Sequence, residues 1–271
     1  MATPKLIKPA NIILDLLRTY PERGTSARKI MAAGELFGLN ENIMRVNLSR
    51  LVTRGFIDNF KRGYYRLTDR ADPLSDFVEE WRLGEARKRP WDGDSWLFVH
   101  SESETGDRRH WALHSTGFRM IQAHLWMRPD NLAIDHHSLE QRLTDLGTPE
   151  PFVLVSGGKV TEDWCRQWIR CVDVEKLTRQ CRAMTKNLED SLDNLVKISR
   201  QEAMIETFNT GGAAIQMLAK DPLLPDPMQD PAPRIRLWEL MREYDRAGRD
   251  IWAGKDTNIP DATPVSQTAV A

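Results

Sequence analysis

A chain of 271 residues, 41% of them apolar, is long enough for more than one hydrophobic core. It has no run of 18 apolar residues, which argues against a membrane span, and Met1 to Pro9 lacks the apolar stretch of a secretory leader. Cys165, Cys171 and Cys181 fit neither a disulfide framework nor a C-x-x-C metal knuckle, so they are expected reduced and structural, in a cytoplasmic protein.

Charge is uneven along the chain. Residues 1–70 carry 13 Lys and Arg against 6 Asp and Glu, whereas residues 71–271 carry 25 against 33. A basic segment on an otherwise acidic chain is either a polyanion-binding module or a merely basic surface.

In chain order, Asn11 to Tyr20 places Ile12, Ile13, Leu16, Leu17 and Tyr20 at helical spacing, and Pro21 and Gly24 break the run. Thr25 or Ser26 caps a second helix to about Phe37, with Ile30, Met31 and Leu36 inward and Gly38 at its end. Asn40 caps a third helix, Glu41 to Arg54, closed by Gly55. Two β-type runs follow, Phe56–Phe60 and Tyr64–Leu67, joined by Lys61-Arg62-Gly63. This order predicts a winged helix-turn-helix over residues 1–71.

Residues 72–89 read as a charged linker helix, broken by Arg89-Pro90-Trp91-Asp92-Gly93. Strands are expected at Ser95–His100, Arg119–Met127 and Pro151–Ser156, and helices at His110–Ser115 and Ser138–Leu146, an α+β domain over 90–160. Residues 162–215 read as helical and 220–233 as a Pro-rich crossing. A last helix near Arg234–Trp252 completes a helical domain over 161–255, and residues 256–271 are expected disordered.

The chemistry lies in the third helix and the hairpin. Met44, Leu48, Leu51 and Val52 are expected to pack inward, leaving Asn42, Arg45, Val46, Ser49, Arg50 and Thr53 outward. Such a face suits the major groove: Arg bonds guanine or phosphate, Asn pairs with adenine, and a Val methyl meets a thymine methyl. The competing account is an ordinary amphipathic helix whose solvent face is basic. Arg54 at the helix end, with Lys61, Arg62, Tyr64 and Arg66 on the hairpin, suits backbone or minor-groove contact. One module makes few base contacts, so a homodimer on a palindromic site of double-stranded DNA is expected.

Residues 42–70, "NIMRVNLSRLVTRGFIDNFKRGYYRLTDR", resemble the DNA-binding module of PaaX-type repressors of phenylacetate catabolism. "RPWDGDSWLFVH" at 89–100, "MIQAHLWMRPDNL" at 120–132 and "KDPLLPDPMQDPAPRIRLWELMREY" at 220–244 are similar to further segments of that family, in order. The resemblance implies a dimeric repressor with a winged helix, a ferredoxin-like middle domain and a helical C-terminal domain, released from DNA by an aryl-acetyl-CoA thioester. It also implies DNA contacts at Arg45 and Arg50. The family's usual Trp-Pro-Gly stretch is absent here, and Pro225-Asp226-Pro227 runs into Met228-Gln229, a departure that bears on the effector.

The nine tryptophans all lie beyond the first 70 residues, and serve either core packing or an aromatic effector pocket. For such a pocket the candidates are Trp91, Trp96, Arg109, Trp126 and Arg128, the arginines facing acyl-CoA phosphates. No enzyme is expected, nor a cofactor or metal. His110 and His114 stand i,i+4 but without H-E-x-x-H, and there is no G-x-S-x-G elbow or P-loop. Ser156-Gly157-Gly158-Lys159 reads as a plain turn. The alternative to a ligand-responsive repressor is an effector-independent architectural or adaptor DNA-binding protein.

Overall fold

The computed structural model describes residues 8–19, 24–68, 73–100, 107–147 and 152–255. The expected break at Pro21 and the tail beyond 255 lie outside them. The chain is mixed α and β, with two small antiparallel sheets, which bears out the α+β class. It divides into two units: residues 1–72 with 192–209 and 245–271, and residues 73–191 with 210–244.

The first unit opens with α1 (Pro9–Thr19), β1 (Thr25–Ser26), α2 (Ala27–Leu36), α3 (Glu41–Thr53), β2 (Ile57–Lys61) and β3 (Tyr64–Leu67). Local chemistry sets the helix starts. The Ser26 hydroxyl accepts from the Lys29 amide at 3.3 Å, and the Asn40 side chain accepts from the Ile43 amide at 2.9 Å. Gly38, at φ +71°, lets the Leu39 amide reach back to the Gly34 carbonyl at 3.0 Å and so ends α2. The core gathers Ile12, Ile13, Leu16 and Leu17 with Ile30, Met44, Leu48, Leu51 and Ile57. Gly34 permits this packing, because a Cβ there would stand 2.5 Å from Met44 Cγ. Phe37 extends the core to Phe208 (ring centroids 4.8 Å apart) and Trp252 (6.5 Å), both within the same unit. The sheet runs β1-β3-β2, so Thr25 and Ser26 pair with Tyr65 and Tyr64 as well as preceding the helix.

In the second unit, α4 (Pro73–Glu79) runs into a 3-10 segment (Glu80–Arg87), followed by β4 (Trp96–His100), α5 (Asp107–Ser115), β5 (Arg119–Gln122), β6 (Leu125–Pro129), α6 (His136–Leu146), β7 (Val153–Gly157) and α7 (Glu162–Val172). The expected linker helix is interrupted at Gly84, whose φ of +53° and ψ of −126° are not helical. The strand expected over 119–127 is a hairpin instead. His124 at φ +65° turns the chain, and β5 folds back on β6. The antiparallel sheet runs β5-β6-β4-β7. One face packs Leu97, Val99 and Trp126 with Leu113 of α5 and Leu139 and Leu143 of α6; the other packs Trp96 and Met127 with Trp168 and Val172 of α7.

The helical stretch expected over 162–215 is three helices: α7, α8 (Val174–Leu195) and α9 (Arg200–Ala219). Asp173, left-handed at φ +53°, separates the first two. The last helix, α10, spans Ala232–Ala253. Between α9 and α10 the Pro-rich crossing is held by side-chain donors. Asn131 donates to the Leu223 carbonyl at 2.7 Å, and Arg128 to the Pro222 carbonyl at 3.4 Å.

Candidate nucleic-acid interface

α3 buries Met44, Leu48 and Leu51 and leaves Asn42, Arg45, Val46, Ser49, Arg50 and Thr53 exposed. Val52 corrects the expectation: it is 37% exposed rather than in the core, because the apolar stripe of this helix is one residue narrower than the sequence count. Val52 instead lines an open groove of about 230 Å³ with Arg45, Leu48, Ser49, Asn59 and Tyr65. The groove therefore lies between the outer face of α3 and the β2–β3 hairpin. Asn59 and Tyr65 escape a reading of α3 alone. Their signal is the alternation of the hairpin, which turns every second side chain to one face.

Arg45 is tethered to Glu41 one turn earlier, with Nε 2.8 Å from Oε1. Both side chains are largely exposed, so the pair contributes little and is readily exchanged for phosphate or a base edge. Among the described residues Arg50 and Arg62 make no ion pair, and both are exposed. On the hairpin, Arg66 stands 3.3 Å from Asp58 and over the Phe60 ring at 5.1 Å, and Lys61 lies 5.4 Å from the Tyr64 ring centre. Arg54 stacks on Phe56 at 4.6 Å, where α3 ends. The Ala27 amide donates to the Gly63 carbonyl at 2.8 Å, so the start of α2, with exposed Arg28 and Lys29, adjoins the hairpin tip. The sequence reading missed these two cations. Asn42, Arg45, Val46, Ser49, Arg50, Thr53, Arg54, Lys61, Arg62, Tyr64 and Arg66 are all exposed on α3, its end and the hairpin.

The five effector candidates are not brought to one place. Trp91 and Trp96 sit edge to face at 5.5 Å on the α7 side of the second sheet, with Trp168 a further 5.5 Å from Trp96. Trp126 lies on the opposite face, 5.0 Å from the His110 ring. Arg109 is buried on α5. Arg128 is 1% exposed, and its guanidinium donates to the carbonyls of Thr116, Pro129 and Pro222 and to the Asn131 side chain. Burial, then the neighbouring Arg119, pushes its pKa down to about 9. Four acceptors within the fold already occupy it. No group of three His, Cys, Asp or Glu side chains among the described residues is placed to hold a metal ion, and no described helix is long and apolar enough to cross a membrane.

Helices, hairpin and exposed cations together form a mixed α and β module with a basic outer face. More particularly, residues 9–71 match the family model described as PaaX-like protein, and the resemblance read from residues 42–70 is borne out. No curated protein sequence matches the chain. Among solved structures it is similar to the uncharacterized protein Rv0674 from Mycobacterium tuberculosis, at a TM-score of 0.61 and 20% identity, over 92% of this chain and 98% of that one. At that identity the likeness is one of fold.

Proposed function

We propose that the protein reads duplex operator DNA through a winged helix-turn-helix made by α1–α3 and the β2–β3 hairpin, over residues 1–71. The groove shared by Arg45, Ser49, Val52, Asn59 and Tyr65 carries this proposal, because it sets a polar helix face and a basic hairpin side by side. α3 enters the major groove, and Lys61, Arg62 and Arg66 grip the flanking backbone. Two copies bind a palindromic site in the cytoplasm, as a repressor. The four-stranded sheet with its helices is a ferredoxin-like domain over 90–160, joined by the 72–89 segment, and 161–255 is the helical C-terminal domain.

By analogy with the family, an aromatic acyl-CoA or related metabolite releases the DNA by favouring a second arrangement of the dimer. The burial of Trp96, Trp126 and Arg128 favours a second account, in which these residues serve packing alone and the protein is an effector-independent adaptor. A gel shift on the DNA upstream of its own gene, with and without phenylacetyl-CoA, tests both. Salt-sensitive, sequence-specific binding released by the thioester is expected. Binding that no metabolite alters, with unquenched tryptophan fluorescence, selects the adaptor, and absence of specific binding overturns the DNA-binding proposal.

A further inference from the structure

A carboxylate stands within the basic face of the first unit. Glu41 is the first residue of α3, and Glu41, Arg45 and Ser49 follow one another at i, i+4 and i+8, one row along the helix. Arg45 and Ser49 line the groove shared with the hairpin, so Glu41 heads the row that faces it. The Glu41 side chain is 59% exposed. Arg45 donates to it twice, through Nε at 2.8 Å and through Nη2, and both bonds end on Oε1. Among the described residues Oε2 of Glu41 accepts no hydrogen bond and Nη1 of Arg45 donates none. The pair therefore presents an open acceptor beside an open donor. It does so at the end of the helix whose first residues meet base edges in helix-turn-helix modules.

We propose that Glu41 is a specificity-determining residue, whose carboxylate accepts from the amino group of a cytosine while Arg45, held beside it, donates to the guanine of the same base pair. This rests on the DNA-binding reading above and deepens it. In the major groove a G·C pair sets two acceptors on guanine next to the amino group of cytosine, which is the complement of the open donor and acceptor of this pair. An A·T pair places the adenine amino group between its two acceptors, so it takes a guanidinium less well. The carboxylate also repels phosphate. It weakens binding to every duplex, and the loss is recovered only where a base amine is presented, which sets one sequence apart from the rest. The bland account of Glu41 is a favourable charge at a helix N-terminus joined to an i,i+4 ion pair. That account touches helix stability alone and predicts no change in sequence preference.

The test selects binding sites for the full chain from randomised duplexes. Affinities are then measured by fluorescence anisotropy on the selected site, on that site with each base pair replaced in turn, and on random duplex. The natural chain is compared with Glu41→Gln, which keeps the shape of the side chain and removes its charge, and with Arg45→Ala. The selected site is expected to contain a G·C pair whose replacement by A·T weakens the natural chain about tenfold. In Glu41→Gln that penalty should fall to about twofold at this pair alone, while random duplex is bound about threefold tighter. Arg45→Ala should relax preference at the same pair. Preferences unchanged at every pair in Glu41→Gln, preferences relaxed at all pairs alike, or a different pair relaxed by Arg45→Ala overturns the role of Glu41 and leaves the DNA-binding reading standing. A natural chain that selects no site overturns both.

Discussion

Arg234 donates two hydrogen bonds to the carboxylate of Glu85, at 2.8 and 3.1 Å, across 149 residues of sequence. Arg234 is 2% exposed; Asp221 lies 3.6 Å from its third nitrogen, and Lys88 lies 2.9 Å from the same Glu85. The cluster ties the 3-10 segment after α4 to the start of α10. Removing Glu85 leaves the buried Arg234 guanidinium with Asp221, 3.6 Å away, as its remaining counter-charge and with two hydrogen bonds lost. Glu85→Leu is therefore expected to destabilise the protein by about 3 kcal/mol in urea unfolding, whereas a loss below about 0.5 kcal/mol would place the pair among surface bridges.

The same cluster gives an acid dependence. Burial raises the Glu85 pKa, but hydrogen bonds from Arg234 and Lys88 outweigh it, so the carboxyl titrates below its ordinary 4.5. A depressed carboxyl contributes stability that is present above the unfolded value and is lost as pH falls through the folded one. Melting temperature should drop below pH 4.5, and less steeply in Glu85→Gln.

His114 acts at higher pH. Burial, then Arg119, His110 and Lys220, push its pKa down from 6.5 to about 4. The unfolded chain takes up this proton before the folded one does, so stability declines as pH falls from 6.5 towards 4. His114→Gln should flatten the melting profile over that window, and an imidazole resonance titrating near 6.5 in the folded protein would contradict the assignment.

Gly84 lies against the Trp238 indole, whose nitrogen donates to the Trp81 carbonyl at 3.0 Å. A methyl group at Gly84 would overlap that ring, and φ of +53° with ψ of −126° is itself strained for any side chain. Gly84→Ala is expected to destabilise by about 3 kcal/mol in denaturant unfolding, combining backbone strain and overpacking.

On the proposed DNA face, the cations assigned to phosphate and the one assigned to base edges are separable by salt. Lys61→Ala with Arg62→Ala should weaken binding on all sequences and reduce the slope of log K against log salt by about 2. Arg50→Ala should instead lose about 1–3 kcal/mol on the cognate site and relax its sequence preference. Equal losses on cognate and random DNA for all three would remove Arg50 from base readout.

Sequence by itself determined the pieces whose causes are local. Ser26 and Asn40 cap helices through bonds three residues ahead, and Gly38, Gly55 and Gly63 take positive φ at turns, so α2, α3 and the hairpin fall where composition and spacing put them. Tertiary structure decided what depends on distant partners. The turn at His124 splits the expected strand, and Val52 faces a groove because Asn59 and Tyr65 stand across from it. The tryptophans divide between two faces because β4 and β6 alternate, and Arg128 is spent on carbonyls as far away as Pro222, 94 residues on. Hydrophobic periodicity marks a side chain as buried, but the chain segment that buries it is chosen by packing between elements remote in sequence.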